Sequence, residues 1–94
     1  MKVYHVITYE PEEPEVLGVF STVDKAKQMV VDRWDRLKKS TDYVMYGSAV
    51  MGIIELELDN PDYEKEIDFD YGYDETIIKE INRRYWARQI QSKK

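Results

Sequence analysis

Ten carboxylates fall between Glu55 and Glu75, and they are where chemistry would be sought first in this chain of 94 residues. Lys65 is the only cation among them, so the stretch carries a formal charge of −9. Clustered carboxylates can bind calcium, form an acid–base pair, or meet a basic partner. A calcium loop between two helices needs glycine at its sixth position and a bidentate acid at its twelfth. Counted from Asp68, Gly72 falls fifth and Lys79 twelfth; counted from Glu66, Gly72 falls seventh and Ile77 twelfth. The register fails, and no metal is assigned. Acid–base work needs burial that separates the pKa values of two carboxyl groups. A segment this charged is expected to stay exposed and ionised.

What remains is display. Glu55, Glu57, Asp59, Asp62, Glu64, Asp68, Asp70 and Asp74 interleave with Tyr63, Phe69, Tyr71 and Tyr73. Carboxylates spaced among aromatic rings can imitate phosphates and stacked bases, and so dock into the basic groove of a nucleic-acid-binding protein. Aromatic anchors inside a charged rim also give ordinary protein interfaces their affinity. These twelve residues form the candidate partner-binding set. The competing reading is a solvated acidic face whose tyrosines pack on the protein's own core.

The last eighteen residues, Ile77 to Lys94, reverse the sign, with six cations and one acid, Glu80. Arg83, Arg84, Tyr85 and Arg88, with Trp86 beside them, form a second candidate set, suited to a nucleotide-like ligand. Direct nucleic-acid binding is not expected, because the net charge is −5 and the pI about 4.9. Cations at the end of a helix also suit its dipole. His5 is the only histidine, and it lies in a strand, where a hydrogen-bonded structural ring is the expectation rather than a general base. There is no cysteine, which excludes disulfides and thiolate chemistry. Four glycines form no phosphate-binding loop and no nucleophile elbow. No cofactor and no catalytic residue are assigned, and the chain is not expected to be an enzyme.

The elements that must position these residues follow from periodicity. Lys2 to Tyr9 reads as a strand, with Val3, Ile7 and Tyr9 on one face and Tyr4 and Val6 on the other. Two apolar faces predict a central strand covered on both sides. Glu10 to Glu15 is an exposed acidic connection with two prolines, and Glu15 to Phe20 returns as a second strand. Ser21 is the expected cap of a helix in which Val23, Ala26, Val30, Trp34 and Leu37 recur at helical spacing, fading near Lys39. Ser40 to Ser48 is expected as a loop. Ala49 to Leu58 is a third strand, with Val50, Ile54, Leu56 and Leu58 on one face and Glu55 and Glu57 alternating with them. Asn60-Pro61 stops it. The acidic segment that follows, about 60–74, is either a loop or a short edge strand, since Ile67, Phe69 and Tyr71 alternate with Asp68 and Asp70. Asp74 caps a second helix running to about Gln91, with Ile77, Ile78, Ile81, Tyr85 and Ile90 as its apolar stripe.

The resulting fold class is α+β. A ββαβ core over about 1–59 forms a three- to four-stranded, mostly antiparallel sheet of order 2-1-3, and a C-terminal helix over about 75–91 completes one domain. The second helix or a second subunit must cover the other face of the first strand; a homodimer is one expectation. No segment approaches the ~20 apolar residues of a membrane helix and the start is not a signal peptide, so a cytoplasmic protein without membrane contact is expected.

Val19, Phe20 and Ser21 at the hairpin's end, Lys25 and Ala26 at the helix start, and Glu55, Glu57, Leu58 and Asp59 closing the third strand resemble a group of small phage and bacterial proteins of unknown function. The resemblance covers roughly the first two-thirds of the chain. It implies a phage or mobile-element context and transfers no catalytic residue. With the acidic segment, it gives the expected role: a phage-type accessory protein that binds and inhibits a host protein, such as a nucleic-acid-binding protein, in the host cytoplasm. A small-ligand module and a structural oligomeric subunit are the alternatives.

Overall fold

Alternation of β-branched and polar residues builds the sheet, and the computed structural model describes residues 1–9 and 15–92 of it and its surroundings. Strands β1 (Lys2–Thr8) and β2 (Glu15–Phe20) form a hairpin, α1 (Val23–Lys38) crosses the sheet, and a short α2 (Tyr46–Ala49) leads into β3 (Met51–Glu57). β4 (Asn60–Ile67) pairs back on β3, and α3 (Glu75–Ser92) ends the described chain. The sheet is antiparallel in the order β2-β1-β3-β4. The α+β class, the central first strand and the 2-1-3 order are as expected. The acidic segment resolves into both alternatives at once: β4 is an edge strand as far as Ile67, and residues 68–74 run on without regular structure. Pro61 sits in that edge strand, one of the few sheet positions that tolerates a missing N–H. The connection at 10–14 and Lys93 and Lys94 lie outside the described residues.

α1 starts one residue later than expected. Thr22, with φ −134° and ψ 152°, is its cap, and its Oγ1 accepts from the Lys25 N–H at 3.2 Å, so Ser21 lies outside the helix. Ala26, Val30 and Trp34 form one buried stripe at four-residue spacing. Residues 46–49, expected as loop and strand start, make the single turn of α2 instead, which seats Ala49 in the core beside Val44. α3 begins where Asp74 Oδ1 accepts from the Thr76 N–H at 2.9 Å, as expected. Its Ile78 and Ile81 are fully buried, and Asn82 pins it to the loop before α2: Oδ1 accepts from Val44 N–H at 2.8 Å, and Nδ2 donates to Val44 O at 2.9 Å. Beyond Asn82 the expected stripe fails. Ile90 is 68% exposed and Trp86 56%, because this half of the helix runs past the sheet and meets the loop before α2, where Tyr43 packs on Trp86 at 6.0 Å and Arg88 donates to Thr41 O at 3.4 Å.

The core is one-sided. Val6, Met51 and Ile53 of the sheet meet Ala26, Val30 and Trp34 of α1 and Ile78 and Ile81 of α3 in one cluster. Two questions left open by the sequence are decided by this. The core face of β3 is Met51 and Ile53, not the Ile54–Leu56 face, because α1 and α3 both lie on the Val6 side. For the same reason α3 does not cover the other face of β1. Cross-strand pairing places Val3, His5, Val19, Ile54 and Leu56 together on that second face, where Val19 is 56% exposed. The radius of gyration is 16.0 Å, against roughly 12 Å for a compact domain of this length, and the shortest extent is 17 Å. That thickness fits a sheet with one layer of helices.

Candidate functional site

Strand parity decides where the acidic segment points its side chains. From Asp62 to Asp74, the even positions hold Asp62, Glu64, Glu66, Asp68, Asp70, Gly72 and Asp74, and every one is exposed. The odd positions hold Tyr63, Ile67, Phe69, Tyr71 and Tyr73, all half-buried, and one exposed cation, Lys65. The alternation of exposure continues past the end of β4 into the irregular residues 68–74, which turn at Gly72. Six carboxylates are therefore exposed in succession, separated by steps of about 6.7 Å where the chain is a strand; this exposed run is the ridge. Glu66 was not among the residues singled out from the sequence; its even parity with Asp62, Glu64 and Asp68 was the signal that could have found it.

The rings fasten the ridge from beneath. Tyr71 Oη donates to Ala49 O at 2.8 Å and accepts from Met51 N–H at 2.9 Å, bridging the end of α2 and the start of β3. Burial raises the Tyr71 pKa and keeps the phenol neutral, as this donor role requires. Tyr71 and Tyr73 pack against the Trp34 indole at 5.8 and 5.6 Å between ring centroids. Phe69 lies 6.3 Å from Tyr71, with Lys27 Nζ 5.4 Å from its ring centre. Trp34 is thus the floor of the segment, 37 residues before Tyr71 in sequence and visible there only as one member of a helix stripe.

On the ridge itself, the carboxylates of Asp62, Glu64 and Asp68 make no hydrogen bond or ion pair among the described residues; the Asp62 N–H donates to Asn60 Oδ1 at 3.2 Å. Glu66 accepts from Tyr9 Oη at 3.2 Å. Asp70 accepts from the Gly72 N–H at 2.8 Å, stabilising the turn in which Gly72 takes φ +85°. Asp74 caps α3, and the Thr76 hydroxyl and then its N–H hold its carboxyl below the ordinary range. None of the six has a basic nitrogen within 4.0 Å among the described residues. Asp59 is exposed in the β3–β4 turn, with φ +65°.

Glu55, Glu57 and Tyr63 belong to a separate cluster, on the helix side of the sheet beyond the end of the core. Tyr63 Oη donates to Glu55, and Lys2 Nζ lies 3.5 Å above the Tyr63 ring. Lys2 Nζ is 2.9 Å from Glu57 Oε2, and the Met1 amino group is 2.9 Å from Glu57 Oε1. The hydrogen bond from Tyr63 holds the Glu55 pKa down, and those from the Met1 amino group and Lys2 hold Glu57 down. These two carboxylates are neutralised inside the protein, whereas the ridge carboxylates are not.

The second candidate set does not converge. Arg83 is engaged by Glu80 through two nitrogens, the shortest contact being 2.7 Å. Arg84 and Arg88 line a shallow depression with Ser40 and Thr41, and Tyr85 packs on Tyr43 at 5.9 Å. Among the described residues, no group of three or more histidine or acidic side chains is placed to hold a metal ion, and no helix is long and apolar enough to cross a membrane. Comparison of the chain with protein-family models, with curated proteins and with solved structures returns no match.

Proposed function

We propose that this chain is a non-catalytic, phage-type interaction protein that binds and inhibits a host protein through the acidic ridge. The observation that supports this reading is the ridge's geometry: six exposed carboxylates at even positions, with no cation within 4.0 Å among the described residues. Uncompensated like charge costs stability through self-repulsion, and a row of it raises the association rate with a basic partner. The rings of Tyr71 and Tyr73 are turned towards Trp34 and that of Phe69 packs against Tyr71, so the ridge offers the charge pattern of a phosphate backbone and leaves base-like stacking aside. A basic groove that normally takes nucleic acid is the matching surface.

The experiment is affinity capture from bacterial lysate at low and high salt, comparing the native chain with a variant carrying Asp62→Lys, Asp68→Lys and Asp70→Lys. Asp74 is left alone because it caps α3, and Glu66 because Tyr9 donates to it; Asp70→Lys gives up the local turn bond from the Gly72 N–H, and far-UV circular dichroism confirms that the variant is folded. The reading predicts a captured nucleic-acid-binding protein that is released by salt and absent with the variant. Capture that is indifferent to both sinks it.

A further inference from the structure

Five cations gather around the turn that leaves α1. Two depressions flank that turn and share Ser40 and Thr41 as their common wall. Arg33, Arg36 and Lys39, spaced three residues apart, line the depression on the α1 side. Arg84 and Arg88, four residues apart on α3, line the other, which has a volume of about 320 Å³. Asp42 is the single acidic residue on either lining among the described residues. None of the five cations has a carboxylate oxygen within 4.0 Å among the described residues. Their neighbours differ: Lys38 Nζ lies 3.1 Å from Asp35 Oδ1, and Arg83 is held by Glu80 at 2.7 Å. Within the α1 group, Arg33 Nε is buried and has no hydrogen-bond partner among the described residues.

The chain holds 19 acids against 14 lysines and arginines, so carboxylates that could neutralise these five are not scarce. The α1 dipole accounts for Arg36 and Lys39 at the helix end. Its effect fades within one turn, and Arg33, Arg84 and Arg88 lie outside the last turns of their helices. Like charges held together repel, and a buried donor is nearly always paired; both features point to an anion that the chain itself does not supply. The walls are also fixed in place. Asn82 bonds Val44 through both of its amide atoms, Arg88 donates to Thr41 O at 3.4 Å, and the Asp42 N–H donates to Ser40 Oγ at 3.1 Å.

We propose that this turn binds a short linear polyphosphate, free or as the tail of a nucleotide. Four of the five cations are arginines, whose planar fork meets two phosphate oxygens at once. Cations on both sides of the Ser40–Thr41 wall call for a ligand with more than one anionic group, lying across that wall. The phosphate chain is the part recognised. Tyr43, Tyr85 and Trp86 pack on one another and line neither depression, so no ring is offered to a base. The site goes beyond the ridge reading and shares no residue with the ridge.

The test is calorimetric titration of the purified chain at low salt with inorganic tripolyphosphate, with ATP and with orthophosphate. Tripolyphosphate and ATP are expected to bind with dissociation constants below about 1 mM and within about fivefold of each other; orthophosphate is expected to bind at least about tenfold more weakly. Arg36→Gln and Arg84→Gln each remove one wall's fork at an exposed position, and each is expected to weaken tripolyphosphate about tenfold. Lys65→Gln removes the same charge from exposed β4, away from the turn, and is expected to change the affinity by less than about twofold. Far-UV circular dichroism confirms that each variant is folded. A native chain that binds no tripolyphosphate overturns the proposal. So does an equal loss in all three variants, which reports overall charge alone, or a wall variant without effect, which leaves the two walls unjoined. ATP binding far more tightly than tripolyphosphate also overturns it, since the base would then be the part recognised. Every arm uses the pure chain with the ridge carboxylates unchanged, so failure here is separate from failure of the capture experiment.

Discussion

Tyr71→Phe removes one oxygen and tests whether the ridge is fastened as described. The phenol is both donor to Ala49 O and acceptor from Met51 N–H, and both of those residues are buried. Deleting it strands a backbone carbonyl and a backbone N–H, each costing about 1–3 kcal/mol when no partner replaces the hydroxyl. Tyr71 itself is half-buried, so water can re-pair part of what is lost, and a net cost of about 2 kcal/mol is expected. The ring is retained, so the edge contact with Trp34 at 5.8 Å survives and the loss reports on the hydroxyl alone. In urea, with a slope of about 1.5 kcal/mol/M for a chain of this size, the unfolding midpoint falls by about 1.3 M. Native and variant are compared at equal protein concentration, because self-association would make stability concentration-dependent. A midpoint within about 0.2 M of the native value would show that Tyr71 does not tie the ridge to β3, and the geometry given for the ridge would be wrong.

Thr22→Ala should destabilise by about 1 kcal/mol through loss of the α1 cap, whereas Ser21→Ala should be close to neutral; equal effects in thermal unfolding would contradict the cap assignment. Gly72→Ala should cost about 1 kcal/mol, because a Cβ there meets nothing nearer than Trp34 Nε1 at 4.0 Å and the penalty is the left-handed backbone itself; an unchanged melting temperature would contradict it. The acid response follows from Glu55 and Glu57, whose folded pKa values lie below the ordinary 4.5. Their contribution is present above that value and is lost as pH falls through the folded pKa, so stability should begin to drop below about pH 4.5, and Lys2→Met should flatten that part of the profile. Because protonation also relieves repulsion along the ridge over the same range, the readout is the difference between the two profiles, and a Lys2→Met profile that parallels the native one from pH 5 to pH 3 would refute the Lys2 cluster.

The fold class was legible in the chain because the strands and helices each keep one period. Ala26, Val30 and Trp34 mark α1, and Ile78 and Ile81 mark α3, without reference to anything distant. The faces were harder. On β3, Ile54 and Leu56 are as apolar as Met51 and Ile53, so composition could not say which pair meets the helices. That choice was made by where α1 and α3 lie, which depends on contacts such as Asn82 to Val44 that have no local signature. Ser21 and Thr22 are chemically alike as caps, and only backbone angles separate them. At the site, alternation of acids and rings was plain in the sequence, but the partition was not. Glu55 and Glu57 look like ridge residues, yet β-pairing turns Glu55 to Tyr63 and Lys2 and leaves Asp62 to Asp74 on the outside.

The most direct measurement of the central claim is the salt dependence of affinity between this chain and the protein it captures, titrated by calorimetry with the native ridge and with Asp62→Lys, Asp68→Lys and Asp70→Lys combined. The ridge account predicts that affinity of the native chain falls steeply with added salt, that nucleic acid competes with it, and that the variant loses at least about 100-fold at low salt with a much flatter salt dependence. An affinity unchanged by the three substitutions, with the same salt slope, would contradict it.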